Sequence, residues 1–198
     1  DEAVGMLRVA RSANGTPPVA SALAIDLPFR DGAFDAVLAN FVIAHFTKYK
    51  TALFELKRVL RPGGRLGFTA WADAEDDLAR TWFELVQSVV PREVVQAAMD
   101  ERLPWRERFR QRLPLEEALM EAGIRQVRTE VRRYRFQYSL DEYIEGMGTW
   151  ATGRFVRSML GESGFAAFLG RARAVFGERF ADPVNDFREV LFATGTKP

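Results

Sequence analysis

The chain has 198 residues, 47% of them hydrophobic, enough for one well-buried core, and its 28 basic and 27 acidic side chains leave a net charge of +1. That balance leaves no electrostatic footprint for nucleic acid or an anionic membrane. With no Cys and a single His, disulfide frameworks, thiol nucleophiles and His-rich metal clusters are excluded, and the cytoplasm is the expected location. The longest apolar run, Val37 to Phe46, falls well short of the ~20 residues that span a bilayer.

In chain order, Gly5 to Ser12 carries a short helical pattern through Met6, Leu7 and Ala10, and Asn14 to Pro18 is a polar loop. Val19 to Ile25 is expected to be a strand. Asp31-Gly32 marks a turn, after which Asp35 to Asn40 is an apolar run with the composition of a buried parallel strand. Leu53, Leu56 and Leu60 share one stripe of a helix over Thr51 to Leu60. Pro62 stops that helix, and Gly63-Gly64 are expected to supply the positive φ values of its C-terminal cap. Leu66, Phe68 and Ala70 then alternate along a strand from Arg65 to Trp71, completing a β-α-β unit. Helical patterns follow over Asp76 to Val90, Pro91 to about Phe109, and Leu115 to Gly123. Arg125 to Tyr138 returns as a strand, its arginines read as charge on an exposed edge rather than a phosphate site. A second helical block, Leu140 to Phe180, precedes a final strand at Phe187 to Ala193.

Leu27-Pro28-Phe29, Phe34-Asp35-Ala36-Val37, Glu55, Arg58-Val59-Leu60 and Pro62-Gly63-Gly64 stand in an order and at a spacing that resembles the class I S-adenosylmethionine-dependent methyltransferases, in particular the small-molecule branch that includes quinone-biosynthesis methyltransferases. The resemblance implies an α/β fold with a Rossmann-like class I methyltransferase sheet, incomplete at its N-terminus, and helical lid insertions. It implies one methyltransferase domain over 1–198, with lid segments at 72–111 and 139–185. S-adenosylmethionine is the implied cofactor.

Asp1 stands where the family's acidic residue accepts hydrogen bonds from the ribose hydroxyls, although it reads equally well as a solvated terminal residue. Met6 would lie against the adenine face, or serve as an ordinary helix-core methionine. Where the family often places an Asp or Asn for the adenine amino group, this chain has Leu23 followed by Ala24, which leaves backbone groups to read the adenine edge. Asn40 ends a strand at the methionine part of the cofactor; its alternative is a strand-end cap. Glu55 and Arg58, three apart on a helix, are expected to form a structural ion pair.

His45 is the one side chain here whose ordinary pKa lies near neutrality, and it follows the strand on the ligand side. It is the candidate general base toward an acceptor hydroxyl or amine, with packing on the next helix as the alternative. Tyr143, Met147 and Trp150 recur at helical spacing. With Trp71, Trp82, Trp105, Phe136 and Tyr138 they either pack the two helical blocks or line a pocket for an apolar or aromatic acceptor.

No Gly-x-Gly-x-Gly loop follows a strand; Gly63-Gly64-Arg65-Leu66-Gly67 precedes one. The intact protein is therefore expected to carry an upstream strand and glycine loop, and this chain alone to bind the cofactor poorly. The function expected is metal-independent methyl transfer to a small apolar or aromatic molecule, with no nucleic-acid partner. The alternative is a methyltransferase-like binding or interaction protein without catalysis. A nicotinamide-dependent oxidoreductase fits less well, since it lacks both a glycine fingerprint and a catalytic pair.

Overall fold

The structure, a computed structural model, describes residues 3–13, 15, 18–74 and 76–198. Helices are α1 (Val4–Ser12), α2 (Tyr49–Val59), α3 (Asp77–Gln87), α4 (Arg92–Arg102), α5 (Arg106–Phe109), α6 (Arg112–Glu121), α7 (Leu140–Thr149) and α8 (Ala151–Arg179). Strands are β1 (Phe34–Asn40), β2 (Leu60–Trp71), β3 (Arg125–Tyr138) and β4 (Val184–Thr196), forming one mixed sheet of order β1-β2-β4-β3. β1 runs parallel to β2, and β4 antiparallel to it. The chain divides into two compact units, one of residues 1–72, 103–132 and 190–198, the other of 73–102 and 133–189, so β3 and β4 each contribute to both.

In the first unit, alternation along the strands sends Ala39, Leu66, Phe68, Leu191 and Ala193 to one face of the sheet. There they pack with Leu53 and Leu56 of α2, Phe109 of α5 and Leu115, Ala118 and Leu119 of α6. The opposite face carries Leu38, whose side chain crosses Gly67 closely enough that a Cβ there would lie 2.7 Å from Leu38 Cδ2. Leu38 is 73% exposed. β1 is thus not the strand buried on both faces that its apolar composition suggests: it is a sheet edge with one hydrogen-bonded neighbour, and only Ala39 along it is buried.

Two further expectations give way. Val19 to Ile25 forms no strand; it holds only an isolated bridge between Leu23 and Asp26. No described strand lies beside it, and unpaired backbone groups favour water over a ladder with nothing to bond. The two glycines do not cap α2, which ends at Val59 with an extended Leu60 as its C-cap ahead of Pro62; both lie inside β2, where they divide their work. Gly63 takes the positive φ, 73°. Gly64 is needed for space, since a Cβ would meet Arg61 O at 2.8 Å and Asp35 O at 3.1 Å. Lys197 closes this corner: its backbone pairs with Gly63 and Gly64, and its ammonium donates to the carbonyls of Arg58 and Leu60 at 3.3 and 2.7 Å. A cation at a helix C-terminus is favourably placed against the macrodipole.

The Glu55–Arg58 pair holds the loop preceding β1. Glu55 Oε1 and Oε2 accept from Arg58 Nε and Nη2, both at 2.8 Å, and Oε2 also accepts from Leu27 N at 2.9 Å. Arg58 then donates to the carbonyls of Phe29 and Leu27, at 2.7 and 2.9 Å, and to Asp31 at 2.8 Å. Gly32 completes the turn with φ 66° and donates its N–H to Arg58 O. The Leu27-Pro28-Phe29 motif, the Asp31-Gly32 turn and the Glu55/Arg58 spacing are one hydrogen-bonded assembly.

The second unit has its own core of Leu78, Trp82, Leu85 and Val86 from α3, Tyr143, Ile144 and Met147 from α7, and Val156, Phe165, Phe168 and Phe176 from α8. Trp82 and Phe168 meet edge to face at 5.4 Å, and Trp82 Nε1 donates to Thr152 Oγ1 at 3.1 Å. Asp76 caps α3, accepting from Leu78 N and Ala79 N. Ser139 and Glu142 form a reciprocal capping box on α7. α8 breaks at Gly161, φ 67° and ψ 177°, values open mainly to glycine.

Two outcomes follow. The Arg58 guanidinium holds the Glu55 carboxyl down, from 4.5 to about 2, with burial opposing and the Leu27 N–H assisting. A lowered folded-state value means that the stability this group contributes is whole above 4.5 and is lost as pH falls from there through about 2. Glu55→Gln is expected to cost about 1.5–3 kcal/mol at neutral pH and to flatten that part of the acid limb. Urea unfolding at pH 7, 4 and 3 measures both. Thr152→Val keeps the shape but leaves the Trp82 N–H buried without an acceptor, at about 1–3 kcal/mol by the same measurement.

Candidate functional site

The candidate site lies where β1 ends. Phe41 has φ 55°, a left-handed backbone that costs a non-glycine residue of order 1–3 kcal/mol and persists where the surroundings hold it. What holds it is β2: Phe41 N donates to Thr69 O at 2.9 Å and shares that proton with Thr69 Oγ1 at 3.1 Å. Thr69 Oγ1 in turn reaches Asn40 Oδ1 at 3.5 Å. The Phe41 ring stacks on Trp71 at 4.4 Å with an interplanar angle of 28°, and both rings stay partly open to solvent. An exposed amide, a reversed backbone and an open aromatic pair therefore meet at the adjoining ends of two parallel strands, the part of an open α/β sheet where ligands bind.

His45 follows on the short 3-10 turn Ile43–His45 and is exposed. Among the described residues its imidazole has no hydrogen-bond partner, so it is neither oriented by a carboxylate nor packed away. Ile43 of the same turn is buried, and Ala44 O accepts from Trp105 N at 3.4 Å, which fixes the turn's backbone.

The cofactor candidates are placed less uniformly. Asp1 lies outside the described residues. Met6 sits on α1, none of whose residues is buried, and is exposed. Leu23 is exposed within the isolated bridge and Ala24 is half-buried beside it. Among the described residues, no hydrogen bond or ring contact joins Met6, Leu23 or Ala24 to Asn40 or His45. A nucleoside bearing an amino-acid tail needs polar groups for the tail and apolar surface for the base; Asn40 is an exposed amide, and Met6 and Leu23 are exposed apolar side chains. Of the aromatic series, Tyr143 and Met147 are buried in the second unit while Trp150 remains half-exposed.

Two features were not found from sequence. Phe41's left-handed backbone has no residue-type signal, since the usual markers are Gly, Asn or Asp. The second is a polar cluster inside the second unit. Arg188 Nη1 donates to Asp76 Oδ2 at 3.2 Å, to Phe187 O at 2.8 Å and to Asp186 Oδ1. Its guanidinium lies over Trp150 at 5.2 Å. Burial raises the Asp186 carboxyl, with Arg188 opposing and Asp76 adding to the rise. Burial, reinforced by Asp76 and Asp186, raises the Tyr143 phenol as well. Arg188 opposes the Tyr143 rise, by its charge and by its contact with the phenol.

Residues 1–68 match the family described as methyltransferase domain. A demethylmenaquinone methyltransferase of Streptomyces avermitilis is 42% identical over 66 residues, 33% of this chain and 29% of that protein. One from Thermus thermophilus is 60% identical over 43 residues, 22% of this chain and 20% of that protein. The matched region thus spans less than a third of the length of either curated relative. Among solved structures, the YcgJ protein of a Bacillus aligns over 100% of this chain and 80% of its own at 21% identity, with a TM-score of 0.54. A Thermotoga maritima SAM-dependent methyltransferase aligns over 100% and 72% at 17% identity, also with a TM-score of 0.54. Residues 1–68 thus match a methyltransferase domain, and the chain as a whole is similar in fold to these two α/β structures.

Proposed function

We propose that the chain belongs to an S-adenosylmethionine-dependent methyltransferase acting on a small apolar or aromatic molecule. The observation that carries this reading is the end of β1, where Asn40, the left-handed Phe41 and the Phe41–Trp71 pair meet within and just beyond the segment 1–68 that matches the methyltransferase domain. Bound S-adenosylmethionine supplies an electrophilic methyl group. Asn40 and the Phe41 carbonyl would hold the amino-acid end and Met6, Leu23 and Ala24 would border the base, while Asp1, the candidate for the ribose, lies outside the described residues.

The chain's own contribution is positioning. An acceptor held in line with the methyl group and shielded from water gains roughly 7–11 kcal/mol from orientation. The open faces of Phe41 and Trp71 favour a flat apolar acceptor over a sugar or an ion. His45 stands ready to take a proton from an acceptor hydroxyl. The helical segments 72–111 and 139–185 serve as a lid, and the reaction is read as metal-independent. Among the described residues no helix is long and apolar enough to cross a membrane. The cytoplasm remains the proposed location.

Titration calorimetry of the intact protein with S-adenosylmethionine tests the reading: saturable binding with 1:1 stoichiometry supports it, and no heat at millimolar cofactor counts against it. With demethylmenaquinol as acceptor, His45→Ala is expected to lower turnover by about 10²–10⁴ while cofactor affinity stays within twofold, because a general base acts only in the transition state. Unchanged turnover would leave His45 a surface residue. Trp71→Ala is expected to raise KM for the acceptor about tenfold or more with little change in cofactor affinity.

A further inference from the structure

Between α4 and the first turn of α8, both within the second unit, lies a hollow of about 220 Å³ that is open to solvent. α4 turns Val95, Ala98, Met99 and Arg102 toward it, at the spacing i, i+3, i+4, i+7 of one helix face, and α8 adds Ala151 and Phe155, one turn apart. Of the 11 residues of α4 only Val95 is buried. Met99 and Phe155 pack against the core of this unit from its edge and stay half-buried. The apolar seam between the two helices is therefore incompletely filled.

Two polar groups border the same hollow. Thr152 is only 6% exposed; its hydroxyl accepts from Trp82 Nε1, and its own proton has no acceptor among the described residues. Arg102 has neither an ion pair nor a hydrogen bond among them. In this it differs from Arg173, Arg179 and Arg188 of the same unit, each of which meets a carboxylate. No acidic residue lines the hollow.

Those groups select the ligand. A guanidinium and a hydroxyl proton are donors, so the ligand must bring an acceptor, and a positive charge with no carboxylate beside it favours an anion. The positive end of the α8 dipole acts in the same sense. One guanidinium balances one charge, which suits a carboxylate better than a phosphate dianion. The rest of the lining is apolar, so the anion must carry a hydrocarbon body. At about 220 Å³ the hollow is smaller than the ~300–1,000 Å³ of sites for drug-sized ligands, which limits that body to a short chain.

We propose that the hollow between α4 and α8 binds a short-chain aliphatic monocarboxylate, its carboxylate held by Arg102 and the Thr152 hydroxyl and its chain laid along Val95, Ala98, Met99 and Phe155. The site lies wholly in the second unit and does not depend on the methyltransferase reading. Filling the seam gives α4 apolar partners that it otherwise lacks, so the bound acid holds α4 against α8.

The test titrates the isotopically labelled intact protein with hexanoate, acetate, 1-hexanol and hexylammonium at constant ionic strength, following amide shifts over residues 95–102 and 151–155. Hexanoate is expected to saturate at a concentration about fivefold or more below that of the other three, since hydrogen bonds to a charged group add to the chain's burial. Arg102→Gln, at an exposed position, should bring hexanoate to the level of 1-hexanol and leave 1-hexanol unchanged. Ala98→Leu, which fills the hollow, should weaken hexanoate and 1-hexanol alike. At saturating hexanoate, amide exchange over residues 92–102 should slow about threefold or more. Acetate binding as tightly as hexanoate, which would show a surface ion pair only, overturns the proposal. So does equal affinity for hexanoate and 1-hexanol, an Arg102→Gln variant that binds hexanoate as before, or unchanged exchange in α4.

Discussion

The bidentate pair between Glu55 and Arg58 is the interaction on which the first unit depends. Arg58 spends its remaining donors on the carbonyls of Leu27 and Phe29 and on Asp31, and Glu55 takes the Leu27 N–H as well. One turn of α2 thereby fixes the path of the chain as it enters β1. Among the described residues β1 pairs with β2 alone, and its register rests on β2 and on this loop. The part of the network facing Asp31 is open to solvent and contributes little on its own. The part between Glu55, Arg58 and the Leu27 backbone is shielded, and removing one member would leave the others unpaired.

That anchoring explains how a strained residue survives at the far end of the same strand. Phe41 pays for its left-handed backbone with a hydrogen bond shared between the Thr69 carbonyl and hydroxyl and with the stacking contact on Trp71. Both partners come from β2, whose parallel register with β1 runs from Ala36 opposite Arg65 to Asn40 opposite Thr69. The site is a product of strand register. A one-residue slip would turn Asn40 to the other face and take Thr69 from Phe41. In the second unit the polar cluster follows different physics: two carboxylates and a guanidinium are brought together by tertiary packing, and burial makes their charge costly unless each is partnered.

What could be read from the sequence follows from how local the determining interactions are. The helix α2, the turn at Gly63 and the strand β2 are specified by apolar period and by Pro and Gly within a single stretch, and the ion pair of Glu55 and Arg58 by their spacing of three. Leu27-Pro28-Phe29 was legible as a family signature, but its role, offering two carbonyls and an N–H to that ion pair, needed the structure. Val19 to Ile25 was misread because a strand needs a neighbour and propensity supplies none. Leu38 was misread because its composition speaks of burial while its exposure is set by what lies across the sheet. Phe41 carries no residue-type signal for its backbone. Arg188 and Asp76 stand 112 residues apart, and no period or motif links them.

The most direct measurement is the two-dimensional amide spectrum of the isotopically labelled intact protein titrated with S-adenosylhomocysteine. If the end of β1 holds the amino-acid part of the cofactor, saturable shifts should be largest at Asn40, Phe41 and the turn through His45, with Thr69 following because it shares the Phe41 proton. Saturable shifts confined to residues 73–102 and 133–189, or no saturable shift at Asn40 and Phe41, would contradict the placement of the site.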